Sequence, residues 1–496
     1  MKTELPGVEW LLDCEPRVVQ LEATARSYTG AIWRMHKDDE LAPFPIRLPH
    51  YGGPADGWGH CMEMRLGKTP TALNEFLLFN RDHGIKRMLM WCPNKYKHTW
   101  ALEATKFGVV LPVHVFDSSN RKEALKFVQN PEGLMFINYE AAVYDTNMAI
   151  IRDWVSDSCY MGADESVLTK NREATVTKRV FELSKDVQVS RILTGKPTPQ
   201  GPADWYSQLR IAKKLNGWNY YQFRGKFCEM GGFKGKKIMG VKNEDKLQEV
   251  LRESVFFARR KDWGNWLQTD YEIVDVAMTP EQQKAYDEME KDFITWLDSG
   301  VMVTADQVIT KYIKLQQISS GFVYDENSAA HPIMSFDKVP KFVELKDRID
   351  NYVQGKIIIV AFYKNTINSL ISALKEHNPA VIGGEDLMKK LGRKIDEEKN
   401  RFNGDGTDVM IAQIKAVKYG HTLMGNEDNP CSTMAYFENT FSLDDRAQSE
   451  ERPQGEGQKV PLYCMDFCSS PRDRGILEAL HRKEDMAAKI MGYYKK

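Results

Sequence analysis

No stretch of the chain approaches the ~18 to 20 consecutive apolar residues that a membrane-spanning helix needs. Apolar strings such as Lys356-Ile-Ile-Ile-Val-Ala-Phe-Tyr363 are strand length, so a membrane partner is not expected. The start, Met1-Lys-Thr-Glu-Leu-Pro-Gly-Val-Glu-Trp10, lacks the basic-then-apolar pattern of a secretory leader. Cysteine is sparse, eight in 496 residues with no Cys-x-x-Cys pair. That excludes a disulfide framework and fits a reduced, cytoplasmic protein. Cys464 and Cys468 lie four apart with Cys431 upstream, which leaves a zinc site open. No histidine stands at ligand spacing, however, and buried free thiols are the commoner solution. Net charge is lacking too: Lys+Arg 68 against Asp+Glu 69 gives −1, which excludes a tail-driven polyanion binder but allows a local basic groove.

What is present is a well-cored globular composition, 42% apolar, 28% charged and 11% aromatic. At ~150 residues per domain the length gives roughly three domains, or two large ones. No internal repeat is visible, and the only low-complexity stretch is the polar Gln448 to Lys459. Short apolar runs alternate with amphipathic stretches, the pattern of a mostly parallel sheet flanked by helices. A first half offers Trp58 to Met62, Met88 to Cys92, Leu134 to Asn138 and Val189 to Thr194 as strands. Leu73, Phe76 and Leu77 share a face of a helix over Thr71 to Phe79. A second half repeats the alternation with Lys356 to Tyr363, Ala380 to Ile382, Val409 to Ala412 and Met434 to Phe437.

Between the halves, Leu215 to Asp270 is rich in glycine, aromatics and basic residues, with seven Lys/Arg against three Asp/Glu from 224 to 246. It reads either as a phosphate-contacting insertion or as a solvated loop packed down by its aromatics. Thr279-Pro280 opens a helix, with Thr as cap and Pro in the first turn. The expected organisation is an N-terminal segment 1–46, a first lobe 47–214, a basic-aromatic and helical interlobe region 215–335, and a second lobe 336–496.

The most informative string is Met64-Arg65-Leu66-Gly67-Lys68-Thr69, set between a short strand and a helix. Gly67 lets backbone N–H groups approach phosphates at a helix N-terminus, Lys68 reaches the terminal phosphates and Thr69 ligates Mg²⁺. Alone, Gly-Lys-Thr also fits a surface turn. Asp164-Glu165-Ser166 follows Lys68 by 96 residues and supplies adjacent carboxylates, one for the metal and one to polarise water. The Ser156 to Met161 stretch before it is a poor strand by composition. Leu193-Thr194-Gly195-Lys196-Pro197-Thr198 ends a β-like run.

In this order, with Asn138-Tyr139-Glu140 between, the strings resemble the superfamily-two helicases and translocases. Within them they are most similar to the Swi/Snf-like branch, especially the compact versions carried by bacteriophages. Met62 to Thr69 looks like that branch's Asp-Glu-Met-Gly-Leu-Gly-Lys-Thr, and Trp91-Cys92-Pro93-Asn94 through Trp100 and Glu103 is similar to its motif Ia. Asp164-Glu165-Ser166-Val167 resembles motif II and Thr194-Gly195-Lys196-Pro197 motif III. Lys356 to Tyr363 resembles motif IV, and Gln413 through Tyr419-Gly420-His421-Thr422-Leu423 a loose motif V. Gln448-Ser-Glu450-Glu451-Arg452 through Gly457-Gln458 looks like motif VI.

The resemblance implies two RecA-like lobes, each a mostly parallel sheet flanked by helices, with ATP and Mg²⁺ between them. Lys68, Glu165 and Arg452 would be catalytic, Arg452 as a finger from the second lobe. Arg65, Gly67, Lys68, Thr69 and Gln448 would hold the nucleotide, and Thr69 and Asp164 the metal. DNA is the implied partner, duplex or forked and without sequence preference. Asn94, Lys95, Thr198, Lys234, Lys236, Lys237, Arg259 and Arg260 are the candidate contacts. A monomer is expected, with replication, recombination or repair proteins as the wider partner class and, for a phage-borne chain, the host cytoplasm as its compartment.

Five positions depart from the pattern. Tyr51 stands where an adenine-reading glutamine is expected, Val167 where motif II has histidine, and Lys196 where motif III has threonine. Arg65 replaces a loop glycine, and Gly455 a second motif VI arginine, leaving Arg452 as finger unless Arg446 substitutes. These departures leave room for a weakly or non-hydrolysing nucleic-acid clamp on a decayed motor scaffold. A third reading, a small-metabolite kinase, predicts one α/β lobe with a lid.

Overall fold

The computed structural model describes residues 9–29, 31–32, 46–47, 56–215, 217–231, 237–263, 267–298, 305–417, 422–455 and 458–491. The chain divides into two compact units, 1–266 with 483–496, and 267–482. Among the described residues, no helix is long and apolar enough to cross a membrane.

The first unit is built on seven parallel strands: β1 (Gly57–Met62), β2 (Arg87–Cys92), β3 (Val113–Val115), β4 (Gly133–Asn138), β5 (Cys159–Asp164), β6 (Val189–Leu193) and β7 (Val255–Ala258). Their order across the sheet is β7-β1-β6-β5-β2-β4-β3. Side chains alternate between faces, so on β2 Leu89 and Trp91 enter one core while Met88, Met90 and Cys92 enter the other. A parallel sheet covered on both faces favours apolar residues at most positions, which is why β2 and β4 read as nearly unbroken runs. Helix α1 (Val18–Thr24) belongs to this unit. Its Val19 and Ala23 pack with Trp58, Met62, Leu66 and Phe256 against the edge that carries β1 and β7.

The second unit repeats the design with six parallel strands: β8 (Thr269–Asp275), β9 (Lys356–Ala361), β10 (Ala380–Ile382), β11 (Val409–Gln413), β12 (Cys431–Tyr436) and β13 (Leu462–Cys468). Here the order is β8-β13-β12-β9-β11-β10. On β9, Ile357, Ile359 and Ala361 face one core and Ile358 and Val360 the other. The expected helix after Thr279 runs Pro280–Asp298, with the Gln282 N–H donating to the Thr279 hydroxyl at 3.2 Å. Two mostly parallel, helix-flanked sheets are thus the architecture, as expected.

The division falls at 266/267, not at 214/215 and 335/336. The stretch read as an interlobe insertion is wound into the sheets themselves. Phe223 and Phe227 of helix Tyr220–Phe227 are buried in the first core, β7 pairs with β1, and β8 pairs with β13 in the second unit. The C-terminal stretch from Lys483 belongs to the first unit, where Gln248 donates to the Lys489 carbonyl at 2.6 Å. Cys431 and Cys464 are buried in one core cluster and Cys468 in another, all as free thiols. Burial pushes the Cys431 and Cys468 thiols up to about 12. Among the described residues no group of three or more His, Cys, Asp or Glu is placed to hold a metal.

A charged network lies inside the first unit. Arg191 on β6 makes three contacts of 2.8 to 3.1 Å to the Glu75 carboxylate, on the helix that follows β1. His60 from β1 and the Tyr160 hydroxyl from β5 meet the same carboxylate at 3.2 and 2.9 Å. Burial pushes the Glu75 carboxyl up, but Arg191 and His60 outweigh it and hold it well below the usual range. The group therefore stabilises fully above its unfolded value of 4.5, and that contribution is lost as pH falls toward the lower folded value. Removing one partner strands a buried charge. In urea unfolding at neutral pH, Arg191→Met is expected to cost about 3–5 kcal/mol, with Glu75→Leu added to it restoring most of the loss. A single variant as stable as wild type would contradict this.

Candidate nucleotide and nucleic-acid site

Parallel sheets gather loops at the carboxyl ends of their strands, and in the first unit those loops carry the candidate residues. β1 ends at Met62, and Glu63 to Gly67 lead into helix α2 (Lys68–His83). Gly67 has φ +86°, and a Cβ there would fall 1.9 Å from the Gln20 amide nitrogen, so both conformation and space require glycine. Arg65 has φ +67°, a conformation that costs a side-chain-bearing residue roughly 1–2 kcal/mol. This accounts for glycine being the pattern's residue at that position. The Arg17 guanidinium donates to the Arg65 carbonyl and ties the loop to the start of α1. Lys68 turns back to the end of β1, donating from Nζ to the Met62 carbonyl at 2.9 Å.

Asp164 closes β5, which is fully buried despite its polar approach. Trp100 donates from its indole to Asp164 Oδ2 at 2.9 Å, and the Glu165 N–H donates to Oδ1 at 3.0 Å. The Tyr139 hydroxyl, from the Asn-Tyr-Glu string, donates to the Asp164 carbonyl at 2.6 Å. Burial pushes the Asp164 carboxyl up, while Lys68 and these donors oppose the rise. Lys68 and Asp164 are therefore electrostatic neighbours. Glu165 sits at φ +48°, a strained conformation for a residue with a side chain. The Thr194 hydroxyl donates to Glu165 Oε2 at 3.3 Å, which joins motif III to motif II.

Helix α3 (Lys97–Lys106) adds a carboxylate. Burial pushes the Glu103 carboxyl up, Thr69 opposes the rise and Asp164 adds to it. Val167, in place of the expected histidine, is buried. A different tie joins the two motifs here: the Ser166 hydroxyl donates to Gln208 Oε1 at 2.7 Å, and Gln208 Nε2 donates to the Pro197 carbonyl at 2.7 Å.

In the second unit, Gln448 lies on helix Leu443–Glu450 and donates to Asp444 at 2.8 Å. Arg452 is buried, with Nε donating to the Gln448 carbonyl at 2.7 Å. Arg446 is fully engaged within this unit, stacked 3.5 Å over the Tyr436 ring and bonded to Asp466, Glu450 and Asn439. It braces the lobe and is not available to replace the arginine missing at Gly455.

The DNA candidates separate into three groups. Asn94 and Lys95 are exposed beyond the end of β2. Thr198 is buried with its hydroxyl donating to the Gly201 carbonyl at 2.7 Å, Arg259 is ion-paired to Asp262 at 2.6 Å, and Arg260 is ion-paired to Glu63 at 3.7 Å. The bracing alternative for the Arg259-Arg260 cluster is the one these contacts favour. Lys234 and Lys236 lie outside the described residues, as do Tyr51, Tyr419 to His421 and Gly457. Lys237 is placed by its backbone, paired with Gly231.

Gln20 is a site residue that sequence reasoning misses. It is buried on α1, with its side chain against Gly67 and its Oε1 accepting the Arg17 N–H at 2.7 Å. A lone amide inside Val18-Val19-Gln20-Leu21 is the available signal.

No family model matches the chain. Over 205 residues it is 24% identical to the SWI/SNF-related matrix-associated actin-dependent regulator of chromatin subfamily A-like protein 1 homolog of Caenorhabditis elegans. That match covers 40% of this chain and 28% of the length of the relative. The chain is similar to a Swi/Snf-related protein. Among solved structures, the Sulfolobus solfataricus SWI2/SNF2 ATPase core in complex with dsDNA aligns over 99% of both chains, with 16% identity and a TM-score of 0.42. The Sulfolobus solfataricus SWI2/SNF2 ATPase core domain aligns over 87% of this chain and 85% of its own, with 19% identity and a TM-score of 0.37.

The loop strain is measurable. Arg65→Gly keeps the carbonyl that Arg17 holds and relieves the left-handed side chain, so unfolding free energy should rise by up to about 1 kcal/mol after glycine's own entropy cost. A destabilised variant would mean that the guanidinium, not the backbone, stabilises the loop.

Proposed function

We propose that the chain is a DNA-dependent ATPase that couples ATP hydrolysis to translocation on, or remodelling of, DNA. The observation that carries this reading is the meeting of Lys68, Thr69, Asp164, Glu165 and Thr194 at the carboxyl ends of β1, β5 and β6. Hard oxygen donors in small number, Thr69 and Asp164, fit Mg²⁺, which keeps several waters and is completed by substrate phosphates. When bound, the ion supplies charge neutralisation on the phosphate oxygens.

The chain's own residues do the rest. Gly67 and the α2 N-terminus would present N–H groups to the phosphates, Lys68 would leave the Met62 carbonyl for the terminal phosphate, and Arg65 would add positive charge beside it. Glu165 would accept a proton from the attacking water, oriented by Thr194. Gln20 would fill the adenine-reading role, since its side chain lies against Gly67 of the phosphate loop. Gln448 would contribute nucleotide contact and Arg452 the finger, from the second unit. Asn94 and Lys95 are the favoured backbone grip on DNA, which would weaken steeply with salt. Bacteriophage origin and a replication, recombination or repair setting remain part of the proposal.

Gly455, together with the engagement of Arg446, favours one alternative, a clamp that binds nucleic acid with little or no turnover. A kinase with one lobe and a lid gains nothing from a second six-stranded parallel sheet. Phosphate release with and without duplex, forked and single-stranded DNA separates these readings. Wild type should be stimulated by DNA, and Lys68→Ala and Glu165→Gln should each lose about 10²-fold or more while keeping the fold. Salt-sensitive DNA binding without turnover would select the clamp, and full activity in Glu165→Gln would remove the general-base assignment.

A further inference from the structure

Three helices of the first unit, Thr175–Asp186, Trp205–Ile211 and Tyr220–Phe227, are joined by a continuous run of rings and cations. The Arg210 guanidinium lies 3.6 Å from the Phe181 ring centre and 5.5 Å from that of Tyr206. Tyr206 meets Tyr220 edge-on at 5.3 Å, and Tyr220 meets Tyr221 edge-on at 5.7 Å. Two guanidiniums share that last pair of rings. Arg172 stands 4.2 and 5.4 Å from the two centres, and Arg224 stands 5.7 and 5.3 Å from them. Lys226 lies 4.7 Å over Trp218, which is stacked on Phe227 at 5.9 Å.

Core packing accounts for the inner side of the last helix, where Phe223 and Phe227 are buried. It does not account for the outer side. Tyr221 is 63% exposed, a large ring held in water between two cations. Among the described residues, Arg210, Arg224 and Lys226 have no carboxylate within ion-pair distance, and Arg172 shares Glu173 with Lys178. Like charges gathered without acidic partners repel one another, and a polyanion relieves that repulsion.

We propose that this face binds single-stranded nucleic acid, with Arg172, Arg224 and Lys226 on backbone phosphates and Tyr221 stacked on a base. A ring beside a cation matches the nucleotide repeat of a base beside a phosphate, and each unpaired base offers a ring face without regard to sequence. A duplex offers the phosphates but keeps its base faces stacked, so Tyr221 gains nothing there. An acidic peptide needs the cations alone. The surface shares no residue with the nucleotide site and does not rest on the ATPase reading.

The test is fluorescence anisotropy of a fluorescein-labelled oligothymidylate of about 20 nucleotides, enough to span the surface, against a duplex of equal length, with the full chain and no ATP. Tyr221→Ala should weaken oligothymidylate binding about 10-fold or more while leaving duplex binding within about twofold, and Tyr221→Phe should bind as wild type. Arg224→Ala combined with Lys226→Ala should weaken oligothymidylate binding and flatten its log affinity against log salt by about 1. Thermal melting of each variant reports on folding. A Tyr221→Ala chain that melts earlier yet binds oligothymidylate as wild type would make the ring a packing residue and overturn the proposal. Equal losses on single strand and duplex would overturn it too, as would wild-type chain that ignores oligothymidylate but binds labelled polyglutamate. Absent ATP turnover would leave all these readings in place, so failure of the motor reading is distinguishable from failure of this one.

Discussion

A carboxylate taken out of water at the end of a buried strand is the constraint around which the first unit is arranged. Asp164 is nearly inaccessible, and burial alone would favour its neutral form. Its charged form is supported from several elements: Lys68 at the start of α2, Trp100 on α3, and the Glu165 N–H just beyond β5. Tyr139, after β4, secures the carbonyl behind it. Those contacts draw the ends of three strands and two helices to one place. The same arrangement that satisfies a buried acid therefore assembles a surface suited to phosphates and a hard cation.

The rest of the unit keeps that place rigid. The Glu75–Arg191 network pins α2 to β6, and α1 sets Gln20 against Gly67. Two of the six left-handed non-glycine residues among those described, Arg65 and Glu165, lie where chemistry is proposed. The second unit is equally well determined internally. Arg446, buried among Asp466, Glu450 and Tyr436, holds the helix that carries Gln448 and leads to Arg452.

Much of this is legible in the order of the amino acids. Strands covered on both faces, β2, β4 and β9, stand out because they are almost continuously apolar, and the Gly-Lys-Thr and Asp-Glu-Ser strings mark the candidate site. The strands that composition does not reveal are those governed by something else. β8 is a sheet-edge strand, Thr-Asp-Tyr-Glu-Ile-Val-Asp, largely exposed, and β5 follows a polar turn. β7 hides in a basic-aromatic stretch several of whose aromatics are core residues, which also displaces the expected domain boundaries. Gln20 is invisible because its place against Gly67 depends on a contact across a long sequence separation. The cationic candidates err in the opposite direction: Arg259, Arg260 and Arg446 have acidic partners that a count of charges does not reveal.

What distinguishes a motor from a decayed scaffold is whether a cation of the second unit acts on a nucleotide held by the first. With Gly455 lacking a side chain and Arg446 engaged, that role rests on Arg452 alone. Single-turnover phosphate release by Arg452→Ala, at saturating Mg²⁺-ATP and duplex DNA, tests it most directly. The two-lobe mechanism predicts a rate lower by about 10³-fold or more with nucleotide affinity nearly unchanged. A rate equal to wild type would contradict it.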